Sequence, residues 1–123
     1  MRALGKKTWV IAEGYIPEYG NGKEPEFTSH ETACILNTSN QDAEVELTIF
    51  FSDKDPVGPY KVKVEAQRTK HLRFNDLKDP EPVPLGTDYA CVIESSIPVV
   101  VQHTRLDSRQ AENALLTTIA YSE

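Results

Sequence analysis

The stretch Glu44-Val45-Glu46-Leu47-Thr48-Ile49-Phe50 alternates polar and apolar side chains up to its last step. A period of two sends Val45, Leu47, Ile49 and the following Phe51 to one face, and Glu44, Glu46 and Thr48 to the other. That is the pattern of a strand with one wet side. Towards the N-terminus, the turn Thr38-Ser39-Asn40-Gln41-Asp42 separates it from His30–Asn37, whose apolar centre Ala33-Cys34-Ile35-Leu36 predicts a strand buried on both faces. Before that, Lys7-Thr8-Trp9-Val10-Ile11-Ala12-Glu13 is β-branched and aromatic, and Gly14 and Pro17 end it.

Towards the C-terminus, Asp55-Pro56-Val57-Gly58-Pro59 breaks the ladder, because proline has no amide hydrogen to donate. Tyr60–Glu65 and Arg68–Phe74 then predict two strands paired as a hairpin. Pro80, Pro82 and Pro84 hold 75–87 in an irregular loop, a candidate rim. Asp88–Glu94 and Val99–Arg105 predict two more strands about a turn at Ser95-Ser96-Ile97-Pro98, and Leu115–Tyr121 the last. Asp107-Ser108-Arg109-Gln110 has the spacing of a helix cap with its returning amide, which predicts at most a short helical turn near 108–114. Eight short strands without intervening helices predict an all-β fold: a single-domain antiparallel β-sandwich over 1–123, preferred to a small closed barrel.

Composition narrows the function class. With 123 residues, 39% hydrophobic, the chain has material for one core without metal or disulfide staples. Its apolar runs, such as Val99-Val100-Val101, are too short to span a bilayer. The opening Met1-Arg2-Ala3-Leu4-Gly5-Lys6-Lys7 turns basic where a secretory leader would be apolar, which predicts a cytoplasmic location. Cys34 and Cys91 lie far apart in apolar stretches and read as small core residues, not as a disulfide.

The chemistry-bearing residues collect where strands change character. One face of the seventh strand runs Val99, Val101, His103, Arg105, so an apolar stripe ends in cations. The first strand runs Trp9, Ile11, Glu13, and the second opens with His30 and Glu31. If these two strands were antiparallel neighbours, Glu13, His30 and Glu31 would share one end of the sheet. Asp107 and Arg109 follow Arg105, and His71, Arg73, Asn75 and Asp76 close the fifth strand.

Guanidinium forks recognise carboxylates and hydroxyl-rich or anionic ligands through paired hydrogen bonds. Two readings stay open: a recognition pocket, or a salt-bridge network that ties the last loop to the body. Trp9 fits a core position better than a stacking platform for a sugar ring. The histidines lack metal-ligand spacing, and Glu13 with Glu31 as a glycosidase pair has no fixed separation. No nucleophile elbow, phosphate loop or Cys-x-x-Cys occurs, so no cofactor is expected and enzyme action on a sugar is only a further alternative.

Charge adds another alternative. The net charge is −6, yet Lys61, Lys63, Arg68, Lys70 and Arg73 stand against Glu65 alone within 61–73. A basic hairpin on an acidic body is a candidate DNA-binding surface, and an acidic body suits the basic cytoplasmic loops of a membrane protein.

The blocks Trp9-Val10-Ile11-Ala12-Glu13-Gly14-Tyr15-Ile16-Pro17, Ser29-His30-Glu31-Thr32, Ser52 to Tyr60, Arg68 to Leu77 and Gln102 to Leu115 resemble the cyanobacterial sensory rhodopsin transducer family over nearly the whole chain. The resemblance implies a small soluble β-sandwich assembling as a homotetramer and coupled to a membrane photoreceptor, with proposed DNA binding. In the wider superfamily it implies binding of sugars or similar small molecules. Carried over by position, it implies site residues at Trp9, Glu13, His30, Glu31, His71, Arg73, Asn75, Asp76, His103, Arg105, Asp107 and Arg109. The expectation is therefore a non-enzymatic signal transducer with a small polar ligand, a signalling partner, or both.

Overall fold

The computed structural model describes residues 1–123. The strands are β1 (Lys6–Tyr15), β2 (His30–Asn37), β3 (Ala43–Phe51), β4 (Val57–Val64), β5 (Arg68–Arg73), β6 (Asp88–Asp107), β7 (Ala114–Ile119) and β8 (Tyr121–Ser122). All pairings are antiparallel. One layer runs β4-β3-β6-β1-β8, and the other joins β5, β2, β6 and β7. The all-β antiparallel fold expected from the alternation is the one formed, with a lone 3-10 turn at Phe74–Asp76 as its only helical element. No helix is long and apolar enough to cross a membrane.

The two layers share β6, which corrects the expected turn at Ser95–Pro98. Residues Tyr89–Ser95 pair with β3, and Val100–Leu106 pair with β2. Ser96, Ile97 and Pro98 have no ladder partner, so the missing amide hydrogen of Pro98 costs nothing at the point where the strand passes between layers. The last predicted strand divides for the same reason. After Ile119 the Ala120 amide donates to the Val101 carbonyl, and the chain moves into the first layer as β8 beside β1.

The expected hairpin of residues 60–74 does not form, because β4 pairs with β3 and β5 pairs with β2. The link between them changes layers through Gln67 at φ 56°, whose amide donates to the Ser39 carbonyl. The buried Asn37 side chain donates to the carbonyls of Gln41, Val64 and Glu65 and so anchors that corner. Nor does a helical turn form at 108–114. The Asp107 carboxylate accepts the Arg109 amide, the Ser108 amide donates to Ser29 Oγ, and the Ser108 carbonyl accepts the Asn21 amide. The backbone is thereby tied to the loop that follows β1.

Burial follows the period of two. Val45, Leu47 and Ile49 of β3 meet Ile35 of β2 and Cys91, Ile93, Val99 and Val101 of β6 in one continuous core. β2 is fully buried on its inner face, and its outer face is covered at Thr32 alone among Thr32, Cys34 and Leu36. Leu36 is exposed and Cys34 half-buried, since no third layer covers the outer side of the second sheet. Both cysteines are free.

Candidate functional site

Glu31 is the centre of the site, and its side chain has no exposure to solvent. β2 places it inward, directly opposite Arg105 of β6, while Ala33 and Ile35 continue inward along the same strand. All four hydrogen bonds to its carboxylate come from outside β2. Oε2 accepts from Arg105 Nε at 2.7 Å and from the Tyr15 amide at 2.7 Å. Oε1 accepts from His103 Nε2 at 2.8 Å and from the Tyr89 hydroxyl at 3.1 Å. An ionised carboxylate only accepts, so the His103 Nε2 carries hydrogen.

β6 supplies partners from both layers. Tyr89 lies on its first-layer half, and His103 and Arg105 on its second-layer half. Burial alone would raise the Glu31 carboxyl. The bonds from His103 and the Tyr15 amide, with the charges of Arg105 and His103, outweigh it and hold the group below the ordinary carboxylate value. The phenol of Tyr89 moves the other way, pushed up by burial, the Glu31 charge and the bond to it. Its ring packs on Phe74 at 5.5 Å between centres.

Arg105 joins this interior to the surface. Its Nη2 donates to Glu13 Oε2 at 2.9 Å, and the Glu13 side chain is 78% exposed. Burial would lower the guanidinium, but the bond to Glu13 and the charge of Glu31 keep it raised. The register of β1 against β6 slips by one residue between Ile11 and Gly14, a bulge that re-aims Glu13 out of the ladder.

Next to this cluster, Asp107 accepts from Arg109 through both carboxylate oxygens, at 3.0 Å from Nε and 2.7 Å from Nη2. That pairing holds Asp107 below the usual carboxylate range. The Arg109 guanidinium lies 5.9 Å from the ring centre of Tyr15. An open depression of about 480 Å³ is lined by Tyr19, Asp107, Arg109, Gln110, Glu112 and Ala114. Tyr19 also lines a second depression of about 380 Å³ that includes Ser29 and Asn75.

The structure therefore brings Glu13, Glu31, His103 and Arg105 into one cluster. Asn75 joins it by accepting the Glu31 amide on Oδ1 and donating to the Ser29 carbonyl. Asp107 and Arg109 adjoin it. His30 sits beside Glu31 in sequence, but its Nδ1 bonds the Thr28 carbonyl and it belongs to the opposite face of β2.

Other candidates lie elsewhere. Trp9 is in the core, its indole N–H shared between the carbonyls of Lys6 and Val99 at 3.0 Å each. β1 and β2 are not neighbours, so Glu13 reaches Glu31 through Arg105 instead. His71 stands opposite Cys34 and Arg73 opposite Thr32, facing away from Glu31. Asp76 is exposed in the 3-10 turn. Lys61 and Lys63 are directly opposite Glu46 and Glu44, so these lysines face carboxylates. Arg68 and Lys70 line a shallow depression with Lys63 and Glu65.

Sequence reasoning missed Tyr89 and the Tyr15 amide. The signal for Tyr89 was present: a tyrosine at the head of the inward stripe Tyr89, Cys91, Ile93 needs a partner for its hydroxyl. Nothing in the sequence marks a backbone amide.

The family model described as Anabaena sensory rhodopsin transducer matches residues 4–122. A solved structure of an Anabaena sensory rhodopsin transducer is 61% identical, covers 86% of this chain and all of its own, and superposes with a TM-score of 0.78. A second, titled Thermotoga maritima 1070, is 37% identical over 97% of this chain and 96% of its own, at a TM-score of 0.84. No curated protein matches the chain. On this evidence the chain belongs to the Anabaena sensory rhodopsin transducer family.

Proposed function

We propose that the chain is a non-enzymatic transducer whose Arg105–Arg109 end recognises a small polyhydroxylated or anionic ligand and whose outer surface contacts a signalling partner such as a sensory rhodopsin. The observation that carries the ligand reading is the fixed guanidinium of Arg105. Buried Glu31 holds its Nε while Nη2 reaches the exposed carboxylate of Glu13, which lines an open depression of its own with Gly14 and Tyr89. A pre-positioned fork spends little entropy on binding. The depression of about 480 Å³ falls in the range of small-molecule sites.

The side chains of catalytic type bond to one another: Glu31 accepts from four donors. This favours recognition over a reaction. Self-association, cytoplasmic location and coupling to a membrane photoreceptor complete the reading and rest on family membership. Isothermal titration of sugars and sugar acids tests the ligand half. Saturable heat that disappears in the exposed-site variant Arg109→Ala is the expected result, and no heat from any member of the panel overturns it.

A further inference from the structure

We propose that the outer face of the first layer is a docking surface for a short cationic amphipathic helix of a partner protein. Directly opposed residues share a side of the sheet, so the outward residues of β3, β6, β1 and β8 stand in rows across it. In one row Val92 faces Thr48 on β3 and Val10 on β1, and Val10 faces Tyr121 on β8. In the next row Phe50 faces Ala90, and exposed Ala12 lines the same depression. The two rows make an apolar strip that no other element of the chain covers: Phe50 is 39% exposed and Tyr121 62%. Apolar patches with a polar rim mark interaction sites.

Carboxylates flank the strip on both sides. On one side exposed Glu46 of β3 and exposed Glu94 of β6 are directly opposed. Like charges in that position repel, and no ion pair of the chain includes either residue. Lys61 stands opposite Glu46 on the outermost strand, beyond the pair and not between its members. On the other side Asp88 and Glu13 line a depression of about 380 Å³ with Phe50, Ala90 and Ala12. The Glu13 carboxylate is held by Arg105 Nη2, and Lys54 lies over the ring of Phe51, which also lines the depression.

The dimensions select the occupant. From Glu94 through Val92 and Ala90 to Asp88 the strand spans about 20 Å, the reach of a helix about 10 Å thick with long cationic side chains extended to both flanks. Four strands about 4.8 Å apart give the strip a length of about 14 Å, which takes about nine helical residues. The apolar stripe of such a helix covers Val92, Val10, Phe50 and Tyr121, and its lysines or arginines separate the charges of Glu46 and Glu94. Phosphate polymers and anionic membranes meet repulsion from the same carboxylates.

The inference rests on the partner half of the function proposed above and specifies a surface for it. Fluorescence anisotropy with a labelled amphipathic peptide of Leu and Lys, about four helical turns long, tests it against the same peptide with Glu for Lys. The Lys peptide should bind saturably and the Glu peptide should not. Glu46→Gln with Glu94→Gln should weaken binding about tenfold, and Phe50→Ser about as much, with far-ultraviolet spectra unchanged. Glu24→Gln with Glu26→Gln removes the same charge from the exposed loop after β1 and should leave the affinity as it is. Equal loss in that loop variant, full affinity in the face variants, or a Lys peptide that fails to bind overturns the surface. Phosphatidylglycerol vesicles that bind the wild type and not the face variants overturn the helix as occupant. Should Phe50→Ser fail to fold, the glutamine variants decide. A sensory rhodopsin in nanodiscs, titrated in the same way, tests the partner reading by itself: no binding there, with the peptide bound, overturns that partner and keeps this surface.

Discussion

Glu31 Oε2 accepts from Arg105 Nε at 2.7 Å although no part of the Glu31 side chain meets solvent, and the two residues face each other directly across β2 and β6. A carboxylate removed from water is costly unless its lone pairs are filled, and here the Tyr15 amide, His103 and Tyr89 fill the rest. The ion pair lies within the second layer, and the bonds from Tyr15 and Tyr89 make its carboxylate a joint between the layers.

Deleting the carboxylate leaves several donors without an acceptor. Glu31→Ala should lower stability by about 3–5 kcal/mol, the usual cost of removing one member of a buried pair. The urea midpoint should fall with an unchanged m-value. A loss below about 1 kcal/mol would show that water replaces the carboxylate and that the cluster is not structural.

The alternation of β3 was legible because its wet face keeps polar residues through Thr48, and the stripe Val99, Val101, His103, Arg105 was legible for the same reason. That stripe marks the cationic end of β6 in the sequence alone. Which strands neighbour one another was not legible, because it depends on where β6 and the 65–67 link change layers. Pro98 marks such a crossing in the same letters as an ordinary turn. His71 and Arg73 were placed at the rim by the polar end of their strand and by resemblance, and Trp9 by resemblance against a reading that favoured the core. Their strand positions put them in the core and on the outer face.

The pH dependence has two limbs. Glu31 is held below its ordinary value, so its contribution is present above about pH 4.3 and is lost as pH falls through the lowered value. Tyr89 is raised, so its contribution is full below about pH 10 and is lost as pH climbs beyond that. Melting temperature across pH should show a plateau between the two. Glu31→Gln should flatten the acid limb and Tyr89→Phe the alkaline one. An acid limb unchanged in Glu31→Gln would assign it to other carboxylates.

Gly14 controls the same joint from β1. A Cβ built there comes within 2.5 Å of the Tyr89 ring, the ring whose hydroxyl donates to Glu31. Gly14→Ala must displace a buried aromatic, an overpacking cost of about 1–3 kcal/mol. Chemical denaturation should register that loss. Pairing it with Tyr89→Phe should give less than the sum, because the second change removes the bond that the first one strains. Strict additivity would mean that the ring tilts without losing Glu31.

The outer half of the relay behaves differently from the inner half. Glu13 is mostly solvated, so its bond to Arg105 resembles a surface ion pair worth about 0.2–1 kcal/mol, and high salt should erase it. Glu13→Gln should therefore leave the urea midpoint nearly unchanged. It also withdraws a negative charge from Arg105 Nη2 while Glu31 keeps holding Nε. An anionic ligand that uses this guanidinium competes with Glu13 in the wild type and gains access in the variant. Calorimetric affinity for a sugar acid should rise several-fold in Glu13→Gln, with little change for the matching neutral sugar. Equal affinity for the acid in both proteins would place the anion at Arg109 instead of Arg105.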